Sequence, residues 1–207
     1  QGPGILSSRD AWVINSNKGS LYDKLYLMTK FYNEQVENYW NKNVNLKNLN
    51  IDDIIDKNPR QISWTRSLKK DLDKKVYHKI DKKNIRVEYY RPFTKQFIYY
   101  SKNLIESPGL NQIFIPTDKQ TNKILSIPGI GNSKDFTAII SENITDYQVQ
   151  FNNQCFPLYY YEEPKTKQKG LFDDPNETDF VRRDATSDFI LERTKQQYGK
   201  NVTKEDI

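Results

Sequence analysis

The run Ile85-Arg-Val-Glu-Tyr-Tyr-Arg-Pro-Phe-Thr-Lys-Gln-Phe-Ile-Tyr-Tyr100 decides the fold class. From about residue 85 the helical spacing of apolar residues gives way to short β-prone runs, and Phe97 and Tyr99 alternate as on one face of a strand. Besides Val87–Tyr90 and Gln96–Tyr100, such runs occur at Gln112–Ile115, Lys123–Ile127, Thr137–Ile140 and Phe156–Tyr161. Turn signals separate them at 107–109, 116–118, 128–131 and 152–153. The pattern predicts a mixed, mainly antiparallel sheet or sandwich over about residues 85–161, in an α+β chain.

Upstream of that run, Leu21, Leu25, Met28, Tyr32, Val36 and Tyr39 recur at spacings of four and three, the stripe of an amphipathic helix over 20–41 with Ser20 as its N-cap. Residues Ala11–Ile14 form a short β-prone run. Asn50 is placed to cap a short helix that Pro59 ends, and Thr65 or Ser67 to start another through Leu72. Downstream, residues 162–184 are charged and turn-rich and predict an exposed excursion. Ser187 caps a helix that runs to Tyr198 and stops at Gly199. Thr203, followed by acidic residues, resembles a further helix start at which the sequence ends, the reading of a fragment. Residues 1–4, Gln-Gly-Pro-Gly, read as a cloning remnant or linker outside the fold.

Composition excludes more than it proves. With one cysteine, Cys155, and one histidine, His78, neither an internal disulfide nor a Cys/His zinc site can form. No apolar run has the length of a membrane span and no signal peptide appears, so a cytoplasmic chain without a membrane partner is expected. The turn ending at Lys134 lacks phosphate-loop spacing and is followed by Asp135, not Ser or Thr. No Asn-Pro-Pro-Tyr tetrad of adenine methyltransferases is present, and no carboxylate pair has persuasive nuclease spacing. Cys155 with His78 makes a poor nucleophile pair and reads as a small buried strand residue. No catalytic residue, metal site or cofactor is expected in these residues.

Charge is concentrated. Residues 1–104 carry 20 Lys/Arg against 11 Asp/Glu, whereas residues 105–207 carry 12 against 16. Residues 57–102 alone hold 14 basic and 4 acidic side chains. Such a stretch fits a polyanion partner, since each neutralised phosphate releases condensed counterions; a solvated lysine-rich surface is the plain alternative. Aromatic residues lie among the cations, among them Trp64, Tyr77, Tyr89, Tyr90 and Phe93, either as core or as stacking groups. Arg66, Lys69, Lys70, Arg91 and Lys95 are the candidate phosphate contacts. Arg86 and Gln96 are candidates for base edges, and Ser133 and Lys134 for contacts from the 128–134 turn.

Several stretches together resemble the C-terminal specificity region of Type ISP restriction-modification enzymes. They are 8–15 (Ser-Arg-Asp-Ala-Trp-Val-Ile-Asn), 28–36, 64–72 (Trp-Thr-Arg-Ser-Leu-Lys-Lys-Asp-Leu), 90–97 (Tyr-Arg-Pro-Phe-Thr-Lys-Gln-Phe), 129–138, 154–159 and 198–207. They keep family order and span nearly the whole chain. The resemblance implies a parent chain with a nuclease, an ATP-driven translocase, an adenine methyltransferase using S-adenosylmethionine, and a domain that reads double-stranded DNA. The parent's cofactors would be S-adenosylmethionine, ATP and Mg²⁺, none of them held here. On this reading 1–15 connects to the methyltransferase domain, 16–161 is the target-recognition domain, 162–184 the excursion and 185–207 a C-terminal helical part. The alternative is an interdomain scaffold coupling motor and methyltransferase with little DNA contact.

Overall fold

Residues 1–4, expected to stand outside the fold, begin it. In the computed structural model, strand β1 (Gly2–Pro3) pairs antiparallel with Cys155 and Gln154, and Gly2 and Gly4 are buried. Gly4 is required there, because an added Cβ would sit 2.7 Å from the carbonyl of Asp146. The structure describes residues 1–43, 50–133, 135–163 and 180–207. It is α+β, and the chain divides into two units, Ile5–Pro108 and a second made of Gln1–Gly4 with Gly109–Ile207.

In the first unit, Ala11–Val13 is not extended. The amides of Trp12 and Val13 both bond to the Arg9 carbonyl, making a helical turn α1 (Asp10–Val13), and only Ile14–Asn15 continue as strand β2. Helix α2 (Lys18–Asn43) buries Leu21, Leu25, Met28, Tyr32, Val36 and Tyr39, the stripe its sequence spacing requires. Its cap is Asn17 rather than Ser20: the Asn17 side chain accepts the Ser20 amide at 2.9 Å, the N-cap to N3 bond. Helices α3 (Ile51–Ile54) and α4 (Arg66–Asp73) are capped by Asn50 and Thr65. Tyr32 and Trp40 of α2 donate to the carbonyls of Val76 and Leu72, and Asn33 exchanges two 3.0 Å bonds with the His78 backbone. These bonds tie the segment after α4 along α2.

The run that decided the fold class is a hairpin, β3 (Ile85–Arg91) with β4 (Thr94–Tyr99), and β2 adds to the far side of β4. Register places Arg86 opposite Ile98, Glu88 opposite Gln96 and Tyr89 opposite Lys95, with an irregularity between Tyr89 and Arg91. Directly opposed residues share a face and successive ones alternate, so Arg86 and Gln96 lie on one face and Lys95 on the other.

In the second unit, β1 joins β5 (Ile124–Ile127), β6 (Ile139–Ser141) and β8 (Gln154–Pro157) in the antiparallel order β1-β8-β5-β6. The two-residue strand β7 (Ile144–Thr145) is buried. Gln112–Ile115, expected as a strand, is helical as α5 (Asn111–Phe114). Gly109 turns the chain at φ 58°, and the Leu110 carbonyl then takes the amides of Ile113 and Phe114, so Asn111 and Phe114 are buried three residues apart. The expected run Phe156–Tyr161 breaks at Leu158, whose carbonyl accepts the Ala185 amide. Its second half, β9 (Tyr159–Glu162), pairs instead with β10 (Val181–Asp184). The anticipated excursion thus begins and ends in paired strands, and its residues 164–179 lie outside the described residues. Helix α6 (Asp188–Tyr198) has the Ser187 cap and the Gly199 stop, the latter at φ 113°. At Thr203 the Asp206 carboxylate accepts both the amide and the hydroxyl, closing a turn where a helix start was expected. Among the described residues, no helix is long and apolar enough to cross a membrane.

Candidate nucleic-acid interface

Helix α4 starts from Thr65, whose Oγ1 accepts the Leu68 amide at 3.4 Å. Leu68 and Leu72 are fully buried, four residues apart, which fixes the rotation of the helix and turns Arg66 and Lys70 to solvent. Lys69 is half-buried and donates to Asp52 at 2.6 Å, and Lys57 approaches the same carboxylate at 3.2 Å. Bonding to Lys69, then Lys57, holds the Asp52 carboxyl below its usual range. No acidic residue stands in the first turn of α4, which carries Arg66 instead, so a cation sits where the helix dipole disfavours one.

Two adjacent residues, neither of them singled out by the sequence, place α4 against the hairpin. Arg9 is buried, and its guanidinium donates to Thr65 Oγ1 and, at 3.4 Å, to Ser67 Oγ; Ser67 in turn donates to Glu106 at 3.1 Å. Burial pushes Arg9 down to about 10, while Glu106 and Asp71 pull it back. The neighbouring Asp10 accepts the Tyr90 hydroxyl at 2.9 Å and meets Arg91 at 3.4 Å. Arg91 also lies 3.8 Å over the Tyr90 ring. Since consecutive Cα atoms are only ~3.8 Å apart, Arg9 and Asp10 bring the cap of α4 and the end of β3 into one neighbourhood. Arg66, Lys69 and Lys70 belong to α4, whose cap bonds to Arg9, and Arg91 pairs with the next residue, Asp10. Lys95 is exposed on β4 beyond the turn.

The base-edge candidates are less accessible. Arg86 and Gln96 share their face with fully buried Glu88 and Ile98 and are themselves half-buried; the Arg86 guanidinium stands 5.6 Å from the Tyr100 ring. In the second unit, Ser133 is exposed and Lys134 lies outside the described residues. The turn before them is pinned: Gly129 packs on the Asn152 carbonyl, which a Cβ would meet at 2.2 Å. The first unit offers cations and hydroxyls and the second an exposed turn, and among these described residues no acid and base converge. Residues 1–207 match the Type ISP C-terminal specificity domain.

The chain belongs to that family. Three solved structures resemble the Type ISP specificity domain described here. A nuclease-deletion mutant of the Type ISP restriction-modification enzyme LlaGI, in complex with a DNA substrate mimic, is 32% identical with a TM-score of 0.73, over 77% of this chain and 13% of that one. A DrdV–DNA complex is 22% identical with a TM-score of 0.78, over 99% of this chain and 18% of that one. The ATP-dependent Type ISP restriction-modification enzyme LlaBIII, bound to DNA, is 22% identical with a TM-score of 0.75, over 99% and 12%. The two at 22% identity establish the fold alone, and this chain spans less than a fifth of each of the three. No protein of curated function matches the specificity domain in sequence.

His78 and Cys155, the residues that composition makes conspicuous, are core groups in this domain. His78 is 4% exposed, stacks 4.8 Å from Tyr32 and meets Asp71 at 3.1 Å; burial lowers its pKa against the opposing pull of Asp71. Cys155 is fully buried on β8, where burial pushes its thiol up to about 11. Among the described residues no group of three His, Cys, Asp or Glu side chains is gathered as a metal site would require.

Proposed function

We propose that this specificity domain recognises double-stranded DNA and thereby directs adenine methylation and ATP-dependent restriction by a parent chain. The observation that carries the reading is that one short segment, Arg9–Asp10, bonds both to the cap of the cationic helix α4 and to Arg91 of β3. Arg66 and Lys70 are exposed on α4, and Arg91 is held at the end of β3 by Asp10. Arg66, Lys69, Lys70, Arg91 and Lys95 hold backbone phosphates, a role that fixes register on the duplex without reading sequence. Arg86, Gln96, Ser133 and Lys134 are proposed for base edges or turn contacts. Of these, Arg86 and Gln96 need a side-chain rotation to reach a groove, because they are half-buried. The DNA substrate mimic in the LlaGI complex supports the partner class. S-adenosylmethionine, ATP and Mg²⁺ belong to the parent's other domains on this reading.

The test is selection from a random duplex library by the full-length chain that carries this domain, followed by sequencing of bound DNA. Enrichment of one short motif, bound more weakly and with a shallower salt slope when Arg66 and Lys70 are neutralised together with Arg91, supports the reading. Binding with no enriched motif favours the interdomain scaffold. One observation speaks for that second role: Tyr26 and Leu27 are exposed on the outer side of α2, 54% and 61%, as a surface for packing on the methyltransferase domain. If so, Leu27→Glu uncouples methylation from binding without altering duplex affinity.

A further inference from the structure

The β3–β4 hairpin ends in a residue that breaks two rules at once. Phe93 is 93% exposed, although burial is what an aromatic ring ordinarily gains on folding. Its φ is 61°, in the left-handed region that glycine, asparagine or aspartate fill at little cost and a bulky side chain does not. Neither feature serves the stability of the turn. The turn is nevertheless held firmly: Pro92 fixes its own backbone, and the Tyr89 hydroxyl, on a nearly buried side chain, accepts the Phe93 amide at 2.8 Å. The ring is thereby presented to solvent on a rigid support.

Charge around the ring indicates what it meets. Arg91, paired with the half-exposed Asp10, precedes the turn and exposed Lys95 follows it, while the single acid of the hairpin itself, Glu88, is fully buried. An apolar tip flanked by cations fits a polyanion whose interior is apolar and stacked. The cations take phosphates on either side, and the ring, which has no hydrogen-bonding group, enters between bases. A two-stranded ribbon also has the width that the major groove admits.

We infer that Phe93 is a wedge, inserted from the hairpin tip into the base stack of duplex DNA. This rests on the DNA-recognition reading above. Insertion unstacks one step, so the wedge favours flexible pyrimidine–purine steps and adds a preference at a position where no base edge is read.

The full-length chain carrying this domain is tested with a labelled random-sequence duplex pool. With p-benzoyl-phenylalanine in place of Phe93, illumination is expected to crosslink the protein to the duplex, whereas the same group in place of Phe189, exposed on α6, does not. Phe93→Gly is expected to weaken binding by about 5- to 150-fold, the range for one base stacked on an aromatic ring. The variant keeps the salt slope and melts no lower than the parent, since glycine accommodates the backbone of the turn. Phe93→Trp is expected to retain binding. Crosslinking to another part of the protein, or unchanged affinity in Phe93→Gly while neutralising Arg66 and Lys70 still flattens the salt slope, overturns the wedge and leaves DNA recognition standing. If the parent chain itself does not bind the pool, the recognition reading fails and the wedge with it.

Discussion

Replacing Arg66 and Lys70 by glutamine isolates the proposed phosphate grip from the stability of the fold. Both side chains project from α4 into solvent, and neither has an ion-pair partner among the described residues, so their loss strands no buried charge. Removing Arg66 from the first turn even relieves an unfavourable interaction with the helix dipole, by ~0.3–1 kcal/mol. The melting temperature should therefore stay level or rise slightly. Binding behaves otherwise. With a salt slope of about −0.9 per phosphate, losing two contacts makes the slope of log K against log salt shallower by ~1.8. At 0.15 M salt that is a loss of about 30-fold in affinity, and between 50 and 200 mM the variant loses about tenfold less than the parent. The assay is fluorescence anisotropy with a labelled duplex across that salt range. Lys69→Gln is the informative contrast, because it removes a cation and also frees Asp52 from its 2.6 Å partner, mixing a structural effect with the electrostatic one. A double variant with parental slope and affinity refutes the assignment of α4 to the phosphate backbone.

Three further outcomes test the frame around that site. Leu25→Ala empties a fully buried position on α2 and should cost ~2–5 kcal/mol in urea unfolding. Thr65→Ala removes both the α4 cap and a partner of buried Arg9; a cap is worth ~1 kcal/mol and an unsatisfied buried donor ~1–3 kcal/mol, and Thr65→Ser should restore most of the loss. Burial lowers the pKa of His78 in the folded state, so the unfolded chain binds the proton first. Stability attributable to it is present above the unfolded value of ~6.5 and falls as pH drops below that. His78→Asn should flatten this part of the profile when urea midpoints at pH 7.5 and 5.5 are compared with the parent's.

Elements whose packing repeats at fixed spacing were legible in the sequence; those set by a single turn were not. The stripe from Leu21 to Tyr39 fixed α2, and the caps at Asn50, Thr65 and Ser187 marked their helices, because both signals are local. Gln112–Ile115 has the composition of a strand, and only the reversal at Gly109 makes it a helical turn. Gly2 and Pro3 carry no apolar pattern at all; their place beside β8 depends on a segment more than 150 residues away, Gly2 pairing with Cys155. The same distance hides the core of the candidate site. Arg66, Lys69, Lys70 and Arg91 announce themselves by charge, but nothing in their own neighbourhood shows that Arg9 and Asp10 gather them, since Arg9 reaches Thr65 across 56 positions and Asp10 reaches Arg91 across 81.

Among the places in the first unit where local rules fail, three lie on the elements that the Arg9–Asp10 segment bonds. Arg66 stands against the dipole of α4, Arg9 is buried at the cap of the same helix, and Phe93 holds a left-handed backbone and a bare ring at the end of the hairpin that Asp10 anchors through Tyr90 and Arg91. Each is unfavourable for the isolated chain: a cation at a helix N-terminus, a desolvated guanidinium, a strained exposed aromatic. Sequences otherwise keep local and global preferences in agreement, and departures collect where function outweighs stability. On the proposed reading, two of the three costs would fall on binding duplex DNA, with phosphate neutralising Arg66 and the base stack covering Phe93. The third, Arg9, holds the cap of α4 through Thr65 and Ser67. Together they fit the proposed reading, in which a polyanion completes this surface.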